Sequence, residues 1–270
     1  MSSTFSIFLE HDSGFHRLHP LTKLVIAIFS LVFAIVVPLP WPGYVVFVIL
    51  LIPCAIWAGV ARSLLSLSLK ITLPFAISVF LIQGFLWSGG TPIWSVGPLS
   101  LKREGVYFAI TSTGRILAVV ASFLLLSLTT RPDHLMIALS QRGVPSSIAY
   151  IILSSMQIVP AFQRKAHMIL DAQRARGLET RGSFRKRAQA LLPLVEPLIL
   201  GSLLDIDERA MALEARAFSR RGPKTYLRRL ADSRLQKLVR RLLLLLAFLM
   251  VIGRIVLVVW RPVEWSFLGL

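Results

Sequence analysis

Leu24 to Ala61, LVIAIFSLVFAIVVPLPWPGYVVFVILLIPCAIWAGVA, runs for 38 residues without a charged side chain. That is too long for one crossing of a bilayer core and about right for two of roughly 20 residues each. The stretch breaks near its middle at Pro38-Leu39-Pro40-Trp41-Pro42-Gly43. Closely spaced prolines followed by a glycine end a helix, and Trp41 and Tyr44 suit the level of the lipid headgroups. The segment therefore predicts two membrane-spanning helices joined by a tight turn.

Working outward, the whole chain has the same character. Hydrophobic residues make up 55% of its 270 residues and charged residues 16%, with a mean hydropathy of +0.72. A soluble globular domain carries about 25% charged residues, so this is the composition of an integral membrane protein. The single Cys54 lies in a hydrophobic run, which leaves no disulfide framework or cysteine metal cage to build. The first hydrophobic run is followed at once by a second and not by a small-residue cleavage site, so the first span is expected to be retained.

Further spans follow from the same pattern. Ile71 to Leu101 is uncharged, helical in its first half to about Trp87 and then turn-rich in SGGTPIWSVGP, which predicts a third span and an external loop. Val106 to Thr130 is a fourth, interrupted by Arg115, and Leu242 to Trp260 a last one, interrupted by Arg254. A charge at the bilayer centre costs about 2.5 to 3.5 kcal/mol on insertion scales. Each arginine therefore either pairs with an acid, contacts a membrane partner or snorkels to the interface.

Orientation comes from the charges. Arg131 to Arg241 holds 21 of the 30 basic residues and 9 of the 13 acidic ones, an excess of +12 in a chain of +17. Short basic segments stay on the inner side during insertion, so this block is expected to be cytoplasmic. Gly143 to Gln163 and Ala188 to Leu204 are apolar enough to suggest spans. A crossing there would strand eight basic residues, from Arg164 to Arg187, outside, so both read as amphipathic helices at the inner interface. The expected fold is an all-α integral membrane protein with about five transmembrane helices plus cytoplasmic amphipathic helices. Residues 1–130 hold four spans, 131–241 form the cytoplasmic region and 242–270 carry the terminal span. The aromatics that base stacking requires lie in the spans and not in the basic block, which argues against nucleic acid.

Within that block, Ile152, Met156, Val159, Phe162, Ala166, Ile169 and Ala172 step by three or four and mark one helical stripe. Leu192, Val195, Ile199, Ser202, Ile206, Ala210 and Leu213 mark a second, and the two stripes are expected to cover each other. The helices end in Ala175-Arg176-Gly177 and Ala215-Arg216-Ala217. Glycine at such an end takes the left-handed conformation that turns the chain out. An arginine there is favoured by the helix dipole by about 0.3 to 1 kcal/mol in any protein. Two such ends in one cytoplasmic block point to docking onto a soluble partner.

With LHPLTKL at Leu18 to Leu24, TTRPDHLMIALSQRGVP at Thr129 to Pro145, the two arginine-ended helices and a terminal span, the chain resembles the transmembrane T component (EcfT/CbiQ family) of energy-coupling factor transporters. The resemblance covers nearly the whole chain. It implies a non-catalytic scaffold that joins two ABC-type ATPase subunits to a substrate-binding S component in a prokaryotic inner membrane. In that family the coupling helices end in Ala-Arg-Gly and their arginines pair with acids on the ATPases, which implies those roles for Arg176 and Arg216. Ala217 departs from the pattern, so the second turn is made at higher cost or the helix runs on toward Ser219 or Gly222. Pro20, Lys23 and Pro145 also fall in family-like positions. Their ordinary readings are a span-entry proline, an interfacial lysine and a helix stop. The resemblance implies no cofactor in this chain, with ATP and Mg held by the partner ATPases, and imported vitamins or metal ions as cargo.

The remaining chemistry is sparse. Asp205, Asp207 and Glu208 occupy nearly consecutive helix positions, which spread their carboxylates around the axis instead of gathering them on a metal. No Gly-rich phosphate loop with a following Lys-Ser or Lys-Thr is present, so ATP hydrolysis is not expected of this chain. The alternative from another class is a membrane enzyme acting on lipid or a lipid-linked substrate. It predicts turnover by the isolated chain, but no nucleophile elbow supports it.

Overall fold

The computed structural model describes residues 13–87, 89–96, 99–177, 184–220 and 232–260. Gly222, Arg261 and part of the basic block from Arg164 to Arg187 lie outside them. Helix α1, Pro20–Val36, opens on a proline whose fixed φ suits the first helical position, and the His19 imidazole Nδ1 accepts the Leu21 N–H at 3.3 Å. Its C-cap Val37 is extended, as expected before Pro38. Helix α2, Pro42–Ala58, again starts on a proline and passes through a π-helical turn at Phe47–Leu51. Pro53, two residues past this turn, has no N–H to give the ladder, an interruption that a wider turn accommodates. Gly59, at φ +73°, ends α2.

Helix α3, Ala61–Leu86, leads to strands β1, Pro92–Val96, and β2, Leu99–Lys102, an antiparallel hairpin. Turn composition alone suggests only a loop here; Ile93, Trp94 and Val96 supply the strand propensity. The hairpin is tied down by Glu104, whose carboxylate accepts the N–H and hydroxyl of Thr91 at 3.0 and 3.2 Å. Helix α4, Arg103–Thr129, follows, then α5, Pro132–Ser140; α6, Ser146–Ala175; α7, Phe184–Ala215; and α8, Arg234–Trp260.

Among the described residues, Ala61–Leu86, Arg103–Thr129 and Arg234–Val259 are long and apolar enough to cross a membrane, while α1 and α2 are shorter apolar helices. The 17 residues of α1 rise about 26 Å, slightly less than a core of roughly 30 Å. Neither α6 nor α7 belongs to the long apolar group.

The described chain divides into two compact units, one within 144–229 and one formed by 7–143 with 230–270. The larger centres on α4, half of whose apolar window is buried against 11% for α3 and 6% for α8. Val46, Leu51, Ala55, Leu117, Ala121 and Leu125 lie in its core. Where α2 meets α4, a Cβ on Gly43 would collide with the Gly114 carbonyl, so the two backbones approach as only small residues allow. Tyr44 then donates its hydroxyl to the Ile110 carbonyl at 3.0 Å.

In the smaller unit α6 and α7 run antiparallel. The Tyr150 ring, near the start of α6, packs tilted against that of Phe218, just past the end of α7, with centroids 5.2 Å apart. Midway, Lys165 Nζ donates to the Gly201 carbonyl at 2.7 Å and to Asp205 Oδ2 at 2.9 Å. The mutual cover expected of the two stripes is only partial. Met156, Phe162, Val195, Ile199 and Ile206 remain exposed, and so do Ile148, Ile151, Leu200, Leu203 and Leu204 outside the two stripes.

Candidate functional site

The end of α7 forms a complete Schellman closure. The Ala217 N–H donates to the Glu214 carbonyl at 2.8 Å, and the Phe218 N–H reaches back to Leu213 at 2.9 Å. This requires a left-handed residue after Arg216, and Ala217 supplies it at φ +55°, the one positive-φ residue other than glycine among the described residues. The left-handed backbone costs an alanine roughly 1 to 2 kcal/mol that a glycine avoids. The helix does not run on to Ser219. At the end of α6, Gly177 sits at φ +92° and its N–H donates to the Arg174 carbonyl at 3.0 Å. Both ends thus place a left-handed residue directly after the arginine, with its N–H bonded to the carbonyl three residues back.

Both turns expose their arginines. Ala175, Arg176 and Gly177, and likewise Ala215, Arg216 and Ala217, are all exposed. Among the described residues neither Arg176 nor Arg216 enters an ion pair, whereas Arg174, two residues earlier, bonds Asp171 at 3.3 Å. The antiparallel pairing puts the two ends at opposite extremes of the unit. Arg176 lies 26 residues beyond Tyr150, which is level with Phe218, so the two arginines stand about 40 Å apart along the pair.

A second cluster lies where α1 begins. Pro20 is buried at its first position. Lys23 is buried too: its Nζ donates to the carbonyls of Thr129 at 2.6 Å and His16 at 3.2 Å, and it lies 5.5 Å from the Phe15 ring centroid. A carbonyl left open at the end of α4 is thereby satisfied by a cation, which also complements the helix dipole.

Around the same turn, Gln236 Oε1 accepts the His19 N–H at 3.0 Å, and buried Arg240 donates to Thr22 Oγ1 at 3.3 Å and to Asp232 Oδ2 at 2.6 Å. Burial raises the pKa of Asp232, but the hydrogen bond and charge of Arg240 outweigh it and leave the carboxyl below its usual range. Burial, with Arg240 and Arg142 nearby, lowers the pKa of His19 despite the opposing pull of Asp232. The sequence pointed to Pro20 and Lys23 but not to His19, Asp232, Gln236 or Arg240. Their shared feature, a polar side chain on the apolar flank of a span, shows only when α1 and α8 are side by side.

The other predicted residues are separate. Pro145 caps α6, its carbonyl accepting the N–H groups of Ile148 and Ala149 at 3.0 and 3.2 Å. Arg115 is half-buried on α4, next to the Gly43–Gly114 contact, with Nε shielded and without a hydrogen bond. Arg254 is half-buried on α8.

Comparisons with known proteins bear on the whole chain. Energy-coupling factor transporter transmembrane protein EcfT from Thermosediminibacter oceani is 28% identical over 229 residues, covering 80% of this chain and 84% of the relative. Its counterpart from Limosilactobacillus fermentum is 27% identical over 271 residues, covering 94% and 98%. That from Ruminiclostridium cellulolyticum is 26% identical over 245 residues, covering 87% and 91%. The model of the cobalt transport protein family, CbiQ, matches residues 11–227, taking in the head of α1 and both arginine-ended helices. The chain is a membrane protein that belongs to the CbiQ cobalt transport protein family.

Proposed function

We propose that the chain is the transmembrane T component of an energy-coupling factor transporter in a prokaryotic inner membrane. It would be a scaffold without catalysis of its own, coupling two ABC-type ATPase subunits to a substrate-binding S component. Helices α1, α2, α3, α4 and α8 form five spans with the N-terminus inside. Residues 131–241 are the coupling region, between a four-span region, 1–130, and a terminal span, 242–270. ATP and Mg bind in the ATPases. The cargo, recognised by the S component, is a metal ion such as cobalt or nickel, or a vitamin such as biotin, thiamine or riboflavin.

The observation that carries this reading is the repeated helix end. Twice, an exposed arginine that enters no ion pair among the described residues stands directly before a left-handed residue, and the second turn is kept although alanine strains it. A separation of about 40 Å suits two docking partners better than one shared pocket. The names of the relatives point the same way.

Affinity purification of the tagged chain from its native host tests the proposal. ATPase subunits should co-purify, and the chain alone should hydrolyse no ATP. Hydrolysis by the purified single chain, or a chain that recovers no ATPase, would refute it.

A further inference from the structure

Two contacts fix the height of α1 and α2 against α4. At one end Lys23 Nζ bonds the Thr129 carbonyl at 2.6 Å, and at the other Gly43, in the first turn of α2, lies against Gly114 and the backbone nitrogen of Arg115. From Thr129 to Arg115 α4 rises about 21 Å, and it continues for about 18 Å more to Arg103. Helix α1 covers the lower part alone, rising about 20 Å from Lys23 to Val36. The turn between α1 and α2, Pro38 to Trp41, therefore lies level with Arg115 and well short of the far end of α4. Measured from Thr129, that level falls inside a core of roughly 30 Å.

Irregular backbone at membrane depth occurs only where protein buries it or where it meets water. Leu39 and Trp41 in this turn are 39% and 55% exposed, so the polar boundary of the bilayer must dip to the turn, where Trp41 suits the headgroup level. Arg115 stands beside it, half-buried, and among the described residues it has neither an ion pair nor a hydrogen bond. A guanidinium so placed lacks a counter-charge in its own unit, and a phosphodiester offers two oxygens in the geometry of its planar donors together with the missing charge. A zwitterionic headgroup brings a cation of its own and neutralises less. We propose that Arg115 binds the phosphate of an anionic phospholipid, of the phosphatidylglycerol kind, seated over the turn between α1 and α2. The inference rests on the transporter reading only for the leaflet, which the proposed orientation makes the outer one.

The test uses the full chain with Cys54 replaced and a fluorophore on Leu39→Cys, reconstituted in phosphatidylcholine bilayers. Phosphatidylglycerol and phosphatidylcholine, each carrying a nitroxide near the headgroup, are titrated as quenchers. With Arg115 in place, phosphatidylglycerol should quench several-fold more strongly per mole. Arg115→Met and Arg115→Gln should bring the two lipids to parity, and Arg115→Lys should keep most of the preference, since an ammonium binds phosphate as a point charge. A preference undiminished in Arg115→Met and Arg115→Gln overturns the site. Parity with Arg115 in place also overturns it and leaves a membrane partner's carboxylate as the counter-charge. Loss of the preference in millimolar inorganic phosphate overturns the lipid as the source in favour of soluble phosphate. No arm involves ATPases, so failure here leaves the transporter reading to be decided by co-purification.

Discussion

Ala217 holds a backbone angle that glycine would hold without strain, and it keeps both closing hydrogen bonds of α7. Ala217→Gly should therefore steady this end by about 1 kcal/mol, less whatever the freer unfolded chain takes back. Exchange of the Ala217 and Phe218 amides should slow by up to about fivefold; faster exchange would show that the alanine is not strained. A second residue-scale consequence concerns pH. His19 has a lowered folded pKa, so the unfolded chain binds its proton first. Its contribution is complete above its ordinary value of 6.5 and declines as pH falls below that. The depressed Asp232 acts in the same direction, losing its contribution only as pH falls below 3.8. The melting temperature in detergent should drop between pH 7.5 and 5.5, and His19→Asn, which keeps a capping acceptor, should flatten that slope. An equal slope in both proteins would contradict the assignment. The two arginine ends were legible in the sequence because glycine and basic residues mark helix stops locally. At Ala217 the sequence left two outcomes open, a costlier turn or a continued helix, and the structure shows the turn.

At the scale of elements, the uncharged runs mark the long helices because crossing a bilayer requires length and apolarity together. The break at Pro38 to Gly43 was equally readable, and the chain leaves α1 and enters α2 on either side of it. The hairpin was hidden, since strand pairing depends on register across a turn and Gly and Pro dominate local composition. The partners of Lys23 could not be read locally: they are backbone carbonyls, one of them 106 residues away. The proposed spans put the hairpin and the α6–α7 unit on opposite faces of the membrane. With Cys54 replaced, Ile93→Cys should react with an impermeant thiol reagent in intact cells, and Asp207→Cys should be protected until the membrane is opened. Both positions are exposed in the chain itself, so the reverse pattern would refute the proposed orientation.

At the scale of the whole molecule, family membership and composition agree on a membrane protein, while the exposed apolar residues of α6 and α7 exceed what the two helices cover between them. Surface of that kind marks contact with a protein partner or with the membrane. The sequence could not show how far the two arginines lie apart, because that depends on the antiparallel pairing fixed by Tyr150 with Phe218 and Lys165 with Asp205. The central claim is that these two ends are the docking points for partner ATPases. The most direct measurement is ATPase association by purified Arg176→Glu, Arg216→Glu and the double variant, alongside the unaltered chain. Removing one side of a buried interfacial charge pair costs about 2 to 5 kcal/mol, so each single change should weaken association at least tenfold and the double change further, with membrane insertion unaffected. A helix-end role alone amounts to at most about 1 kcal/mol of local stability, and retention of unaltered affinity in all three variants would contradict the account.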